Sequence, residues 1–145
     1  MPENEQLIAE LHRRQGLMYA GGPVAPVLEL LSEEIVWHVP GTSPIAGDHR
    51  GHSGVSAYFE RRRELAGGTM RMHPGPLLAD REAVLQLVEG TATLGGEEVR
   101  WQTAGVYRVS SGLVAEVWLV PLELKLFDQL WSVGDRPYGK SVSSS

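Results

Sequence analysis

The sequence predicts an α+β domain in which a curved antiparallel sheet wraps around helices that precede it. Three observations predict this class. Apolar residues in the opening segment recur at helical spacing, with Leu7, Leu11 and Met18 on one stripe. The stretch from Thr69 to Val120 then reads as four apolar runs of strand character. The breaks between those runs are short: Ala79-Asp80-Arg81-Glu82, Gly95-Gly96-Glu97-Glu98 and Ser110-Ser111-Gly112. Links of that length join antiparallel neighbours.

The first helix ends at Gly21-Gly22, and Pro23 opens a second with Val24, Val27, Leu28 and Leu31 at i, i+3, i+4 and i+7. Glu34-Ile35-Val36-Trp37-His38-Val39 is β-branched and aromatic and reads as a strand, closed by Pro40-Gly41. An irregular loop is expected through Gly51. A third helix follows, with Val55, Tyr58 and Phe59 on one face and Gly67-Gly68 as its stop. After the four strands, Pro121 opens a helical segment in which Leu122, Leu124, Leu126, Phe127, Leu130 and Trp131 leave little polar face, so cover on two sides is expected. Residues 1–132 are read as one domain and 133–145 as a polar, mobile tail.

At 145 residues the chain can bury one sizeable core, with roughly 70% of the unfolded surface removed from water. Thirteen Lys and Arg against eighteen Asp and Glu give a net charge of -5, which disfavours nucleic acid and anionic membrane as partners. The absence of cysteine excludes disulfides, thiolate nucleophiles and thiolate metal sites. The opening Met1-Pro2-Glu3-Asn4-Glu5 is acidic where a signal peptide is basic, and no apolar run approaches a bilayer span. A cytoplasmic location is the expectation.

Several residues could carry chemistry. His38 stands at a strand end, facing either the pocket or the outer layer, and an imidazole can take or give a proton near neutral pH. Its structural alternative is a strand histidine bonded to backbone and packed by Trp37. Glu123 shares a face with Phe127 and Leu130, where desolvation would favour a protonated donor; the alternative is an exposed first-turn glutamate. Tyr58, Phe59, Trp101, Tyr107 and Trp118 supply large flat surfaces for either a core or an apolar ligand pocket. Strand alternation places Trp101 with Val99, Thr103, Gly105 and Tyr107 on one face, opposite Arg100, Gln102 and Arg108.

His73 is placed at a rim beside Pro74-Gly75-Pro76, and His49 and His52 in the loop beside Asp48. With His38 these are the candidate metal set, and their spacing matches no zinc or 2-His-1-carboxylate pattern, so no metal is expected. Asp128 is read as a solvated or capping residue, Glu116 as a sheet-edge charge, and Arg61-Arg62-Arg63 as a solvated helix face. No Gly-x-Ser-x-Gly elbow appears. The chemistry left is acid–base work without a cofactor.

The run Val36-Trp37-His38-Val39-Pro40-Gly41-Thr42-Ser43-Pro44-Ile45-Ala46-Gly47, the hairpin from Val106 to Trp118, and Asp128-Gln129-Leu130-Trp131 together resemble a SnoaL-like member of the nuclear-transport-factor-2-like (NTF2-like) superfamily. The resemblance implies a cone-shaped fold with an internal pocket, and a cofactor-free enzyme acting on an apolar, polyketide-like small molecule as cyclase, isomerase, epoxide hydrolase or dehydratase. In that picture His38 moves the proton, Tyr58 or Glu123 donates to an oxyanion, and Trp37, Phe59, His73, Trp101, Tyr107 and Trp118 line the substrate site. The alternative within the same superfamily is a non-catalytic binding or interaction domain. The resemblance also implies an outer sheet face, at Ala104 and Val106, suited to a homodimer.

Overall fold

In the computed structural model, residues 2–135 are described; the greater part of the tail expected at 133–145 lies outside the described residues. Helix α1 (Pro2–Tyr19) turns Ile8, Leu11, His12, Gln15, Met18 and Tyr19 inward, a stripe at three- and four-residue spacing. The second helix is shorter than its apolar spacing predicts. It is the single turn α2 (Ala25–Leu28), because Leu31 is taken by strand β1 (Leu31–Val39), where it pairs with Val114, and Val114 N–H donates to the Leu30 carbonyl at 2.9 Å. Tertiary pairing outweighs local periodicity there.

The loop expected through Gly51 contains a strand, β2 (Gly47–Arg50), antiparallel to β1 from Val36↔Arg50 to Val39↔Gly47. It is a sheet edge of polar residues, so it carries no apolar alternation to announce it. Helix α3 (Gly51–Ala66) begins at once. It ends where Gly67 takes a left-handed φ of 59° and donates to the Arg63 and Glu64 carbonyls.

The four strands predicted downstream are β3 (Arg71–Ala79), β4 (Ala83–Leu94), β5 (Glu97–Ser110) and β6 (Leu113–Pro121), separated at the three predicted breaks. Helix α4 (Leu124–Trp131) and a 3-10 turn (Ser132–Asp135) follow. The sheet order is β2-β1-β6-β5-β4-β3. Every neighbouring pair is antiparallel except β1 and β6, so the sheet is mixed rather than wholly antiparallel. The parallel pair arises because β6 returns beside β1 after the whole meander, which closes the cone.

Alternation sets the inner surface. Val84, Gln86, Val88, Gly90, Ala92 and Leu94 of β4 are buried, as are Trp101, Thr103, Gly105 and Tyr107 of β5, the face predicted for that strand. Two glycines let the large rings lie against the sheet. A Cβ on Gly90 would sit 2.2 Å from the Trp101 indole, its cross-strand partner, and one on Gly105 would sit 2.5 Å from the Tyr107 hydroxyl. Phe127 and Trp131 of α4 close over Trp101, with ring centroids at 6.4 and 5.2 Å. Their cover is one-sided, since Leu122, Leu124 and Leu126 remain exposed.

Candidate functional site

Within the cone a cavity of about 30 Å³ is lined by His12 and Gln15 of α1, Arg62 of α3, Thr103 and Tyr107 of β5, and the indoles of Trp37 and Trp101. An open groove of about 360 Å³ lies beside it, between α1 and the β3–β4 hairpin, bordered by Ala9, Pro74, Leu77 and Gln86 with Glu5 and Arg13 at its rim. His12 and Met72 border both spaces. The imidazole thus stands between the solvent-facing groove and the interior. As it stands the cavity has room for about one water, so anything larger must shift the flexible Met70 and Met72 side chains that line it.

The tautomer of His12 follows from its partners. Gln86 Nε2 donates to the Gly75 carbonyl at 3.0 Å, which turns Oε1 toward His12 Nε2, also at 3.0 Å. An amide oxygen only accepts, so Nε2 carries the proton and Nδ1 holds the lone pair. Nδ1 is buried without a hydrogen-bond partner. Burial holds the pKa of His12 below the ordinary histidine value of 6.5, and the Gln86 hydrogen bond opposes this only in part. The result is a neutral imidazole with a free basic nitrogen. Tyr107 hydroxyl lies 3.5 Å from His12 Nε2, a proton-bearing nitrogen to which it does not donate, and burial pushes its phenol pKa well up, so it stays protonated.

Arg62 is the second unusual group. It is 4% exposed, sits under four rings (Tyr19, Tyr58, Trp101 and Trp131, at 4.9 to 5.9 Å from Cζ), and donates from Nη1 to Tyr58 hydroxyl at 2.8 Å. Burial works against its charge while Tyr58 and Tyr19 act the other way, and the pKa ends above the ordinary arginine value. Its Nε has no partner, and among the described residues no carboxylate forms an ion pair with it. Ring faces contribute about 0.5–2 kcal/mol each to a cation but accept none of its N–H groups in the guanidinium plane. Desolvating an unpaired ion costs several kcal/mol.

The SnoaL-like domain family is matched over residues 16–117, most of the length of the chain. This chain belongs to the SnoaL-like domain family. Among solved structures it is similar to Bal32a, from a soil-derived mobile gene cassette, at 31% identity over 89% of this chain and 98% of that one, with a TM-score of 0.77. TerC, solved with polyporic acid, is 16% identical over 88% and 97% of the two chains, TM-score 0.76. An NTF2-like protein from Burkholderia xenovorans is 20% identical over 90% and 96%, TM-score 0.74. The last two likenesses speak for the fold alone. No curated protein matches the chain.

In this SnoaL-like chain the sequence candidates separate. Trp37, Trp101 and Tyr107 line the interior, while Tyr58 and Phe59 are buried beside it, Tyr58 as the acceptor that holds Arg62. His38 does not reach the interior: β1 alternation turns Trp37 inward and His38 out. There His38 lies between Asp48 Oδ1 at 2.7 Å and Glu116 Oε2 at 2.6 Å, under the stacked ring of Trp118. Trp118 therefore also lies outside, on β6.

Glu116 is no edge charge, because β6 runs mid-sheet; it holds His38 and, at 3.4 Å, Arg108. Burial pulls the His38 pKa down, yet Glu116 and Asp48 outweigh it and the value rises above 6.5. Glu123 is exposed at the start of α4 and borders a shallow groove with Leu122 and Leu126. His73 is exposed and meets Thr91 Oγ1 at 3.3 Å.

His49 and His52 serve backbone carbonyls, of Ile45 and Leu31, each at 2.9 Å. Among the described residues no group of three His, Cys, Asp or Glu is arranged to hold a metal, and no helix is long and apolar enough to cross a membrane. Asp128 accepts from the Thr42 backbone N–H at 3.1 Å, tying α4 to the turn after β1.

Sequence reasoning passed over His12, Gln15, Gln86 and Arg62. The signal was present for three of them. His12 and Gln15 occupy the apolar stripe of α1 with Ile8 and Met18, and Arg62 shares the buried stripe of α3 with Val55, Tyr58, Phe59 and Ala66, whereas the triple-arginine run suggested a solvated face. A polar residue at a core position of a helix asks for a partner inside.

Proposed function

We propose that this SnoaL-like domain is a cofactor-free acid–base enzyme whose site is the interior between α1, α3 and the sheet, acting on an apolar, polyketide-like small molecule that reaches it through the α1/β3–β4 groove. The observation that carries the reading is the state of His12: a buried, neutral imidazole whose Nε2–H is committed to Gln86 and whose Nδ1 is free. A base in that state takes a proton from carbon next to a carbonyl, a step worth about 100-fold or more in rate. In this reading Tyr107, a protonated phenol lining the same cavity, supplies the donor for the oxyanion that develops, and Arg62 supplies a fixed positive charge that holds the substrate. Ring closure, isomerisation and loss or addition of water each use such a proton transfer.

In this reading His12 and Tyr107 take the acid–base roles that the sequence suggested for His38 and for Tyr58 or Glu123, and Trp37 and Trp101 keep the substrate-holding role. TerC, a protein of the same fold, was crystallised with a small molecule, polyporic acid, which supports a ligand-holding cone. The test is incubation of the protein, without added cofactor, with polyketones, enones and epoxides, followed by mass spectrometry. Conversion at constant mass identifies an isomerase or cyclase, and a change of one water a hydratase, dehydratase or epoxide hydrolase. Compounds that bind the interior yet remain unchanged across the panel would make the domain a binding module instead.

A further inference from the structure

Three residues lining the interior, His12, Trp37 and Arg62, each carry a buried nitrogen with no hydrogen-bond partner. Such orphans in one cavity need a common explanation, either water or a polar ligand. The chemistry of the three selects between ligand types. His12 offers an acceptor, Trp37 offers a neutral donor, and Arg62 offers a full positive charge with fork geometry. Arg62 is charged at any accessible pH, is shut off from solvent, and is met by the neutral phenols of Tyr58 and Tyr19 and by ring faces, with no carboxylate among the described residues paired to it.

The remaining charges nearby do not answer it. Arg13 at the rim of the outer groove is held by Glu10 at 2.7 Å, the carboxylate that also holds Arg14, and Glu116 and Asp48, the carboxylates of β6 and β2, are engaged on the opposite face of the sheet by His38. Neutrality inside the cone is therefore left for a ligand to supply.

We infer that the interior site is built for an anion: its substrate carries a carboxylate or an acidic enol that seats on Arg62, with its flat apolar body between Trp37, Trp101 and the Met72 gate. This deepens the proposed function, since it names the charge class of the molecule held at the same site, and it rests on that site being the interior. It also gives a division of labour: the anionic group is fixed by Arg62 while His12, bordering the same cavity from α1, faces the carbon framework. A neutral ligand of equal shape leaves the guanidinium as desolvated and unpaired as it is in the empty protein, so only the anion gains from pairing with it.

The probe pair is 2-naphthoate and 2-naphthamide, alike in shape and different in charge, measured by calorimetry and by thermal shift at pH 7.5. The expected result is at least tenfold tighter binding of the acid to the wild-type protein, and loss of that preference in Arg62→Met. Methionine fills a similar apolar volume, and circular dichroism establishes that the variant is folded. The wild-type comparison stands without the variant.

Equal affinity for acid and amide, no binding of the acid, or a preference that survives R62M overturns the inference and leaves water as the partner of the orphan nitrogens. His12→Gln separates this from the catalytic reading. If it keeps the acid preference while no compound is turned over by the wild type, the enzyme reading fails and the anion site stands; turnover of neutral compounds with no acid preference is the converse.

Discussion

His12 on α1 and Gln86 on β4, 74 positions apart in the chain, share a 3.0 Å hydrogen bond at the join of groove and cavity. Gln86 is itself oriented by the Gly75 carbonyl at 3.0 Å, so a strand-to-strand contact in the β3–β4 hairpin decides which nitrogen of His12 is basic. Replacing Gln86 with Leu removes the acceptor and buries the Nε2–H unpaired, at a cost of about 1–3 kcal/mol of stability. Because Gln86 raises the His12 pKa, the variant should also titrate this histidine at lower pH than wild type, which imidazole NMR reads directly.

Two histidines give this protein opposite pH slopes. His12 has a folded pKa below 6.5, so as pH falls through the unfolded value near 6.5 the unfolded chain takes up a proton that the folded one does not, and stability drops. His38 has a folded pKa above 6.5; its contribution is complete below 6.5 and is lost as pH rises through the folded value. Asp48 and Glu116 are held below their ordinary values of 3.8 and 4.5, chiefly by the His38 hydrogen bond, so their share is present above those values and lost as pH falls through the lowered ones. Thermal melts across pH should show His38→Ala flattening the alkaline decline and His12→Leu flattening the decline just below 6.5. A decline unchanged in both variants counts against these assignments.

Gly90 and Gly16 are glycines with opposite expectations. Gly90→Ala forces Cβ against the Trp101 indole and should cost about 1–3 kcal/mol, with a change in tryptophan fluorescence as the ring lifts from β4. Gly16 lies within α1 with open space where a Cβ would go, and Gly16→Ala should raise stability by about 0.5–1 kcal/mol. Denaturant unfolding of the two variants checks both signs.

The elements that alternation or helical spacing could reach were legible in the sequence: the β3–β6 meander with its breaks, the inward face of β5 carrying Trp101 and Tyr107, and the Gly67 stop of α3. What was not legible depended on long-range pairing. The parallel β1–β6 register takes Leu31 out of its helix, and β2 exists only because β1 offers an edge. The direction of His38 turned on a single residue of register, which the strand sequence could not set and the packing of Trp37 against Tyr58 and Phe59 does. Arg62 was hidden by its neighbours Arg61 and Arg63, which look alike in sequence although only the middle one faces the core.

The claim that the interior is the working site is tested most directly by comparing His12→Gln with His38→Gln in single-turnover kinetics on the first compound the protein converts. The account predicts a loss of about 100-fold or more for H12Q, with its substrate affinity little changed, and turnover near wild type for H38Q. A large loss in H38Q with H12Q near wild type contradicts it and would place the chemistry on the outer face of the sheet, among His38, Asp48 and Glu116.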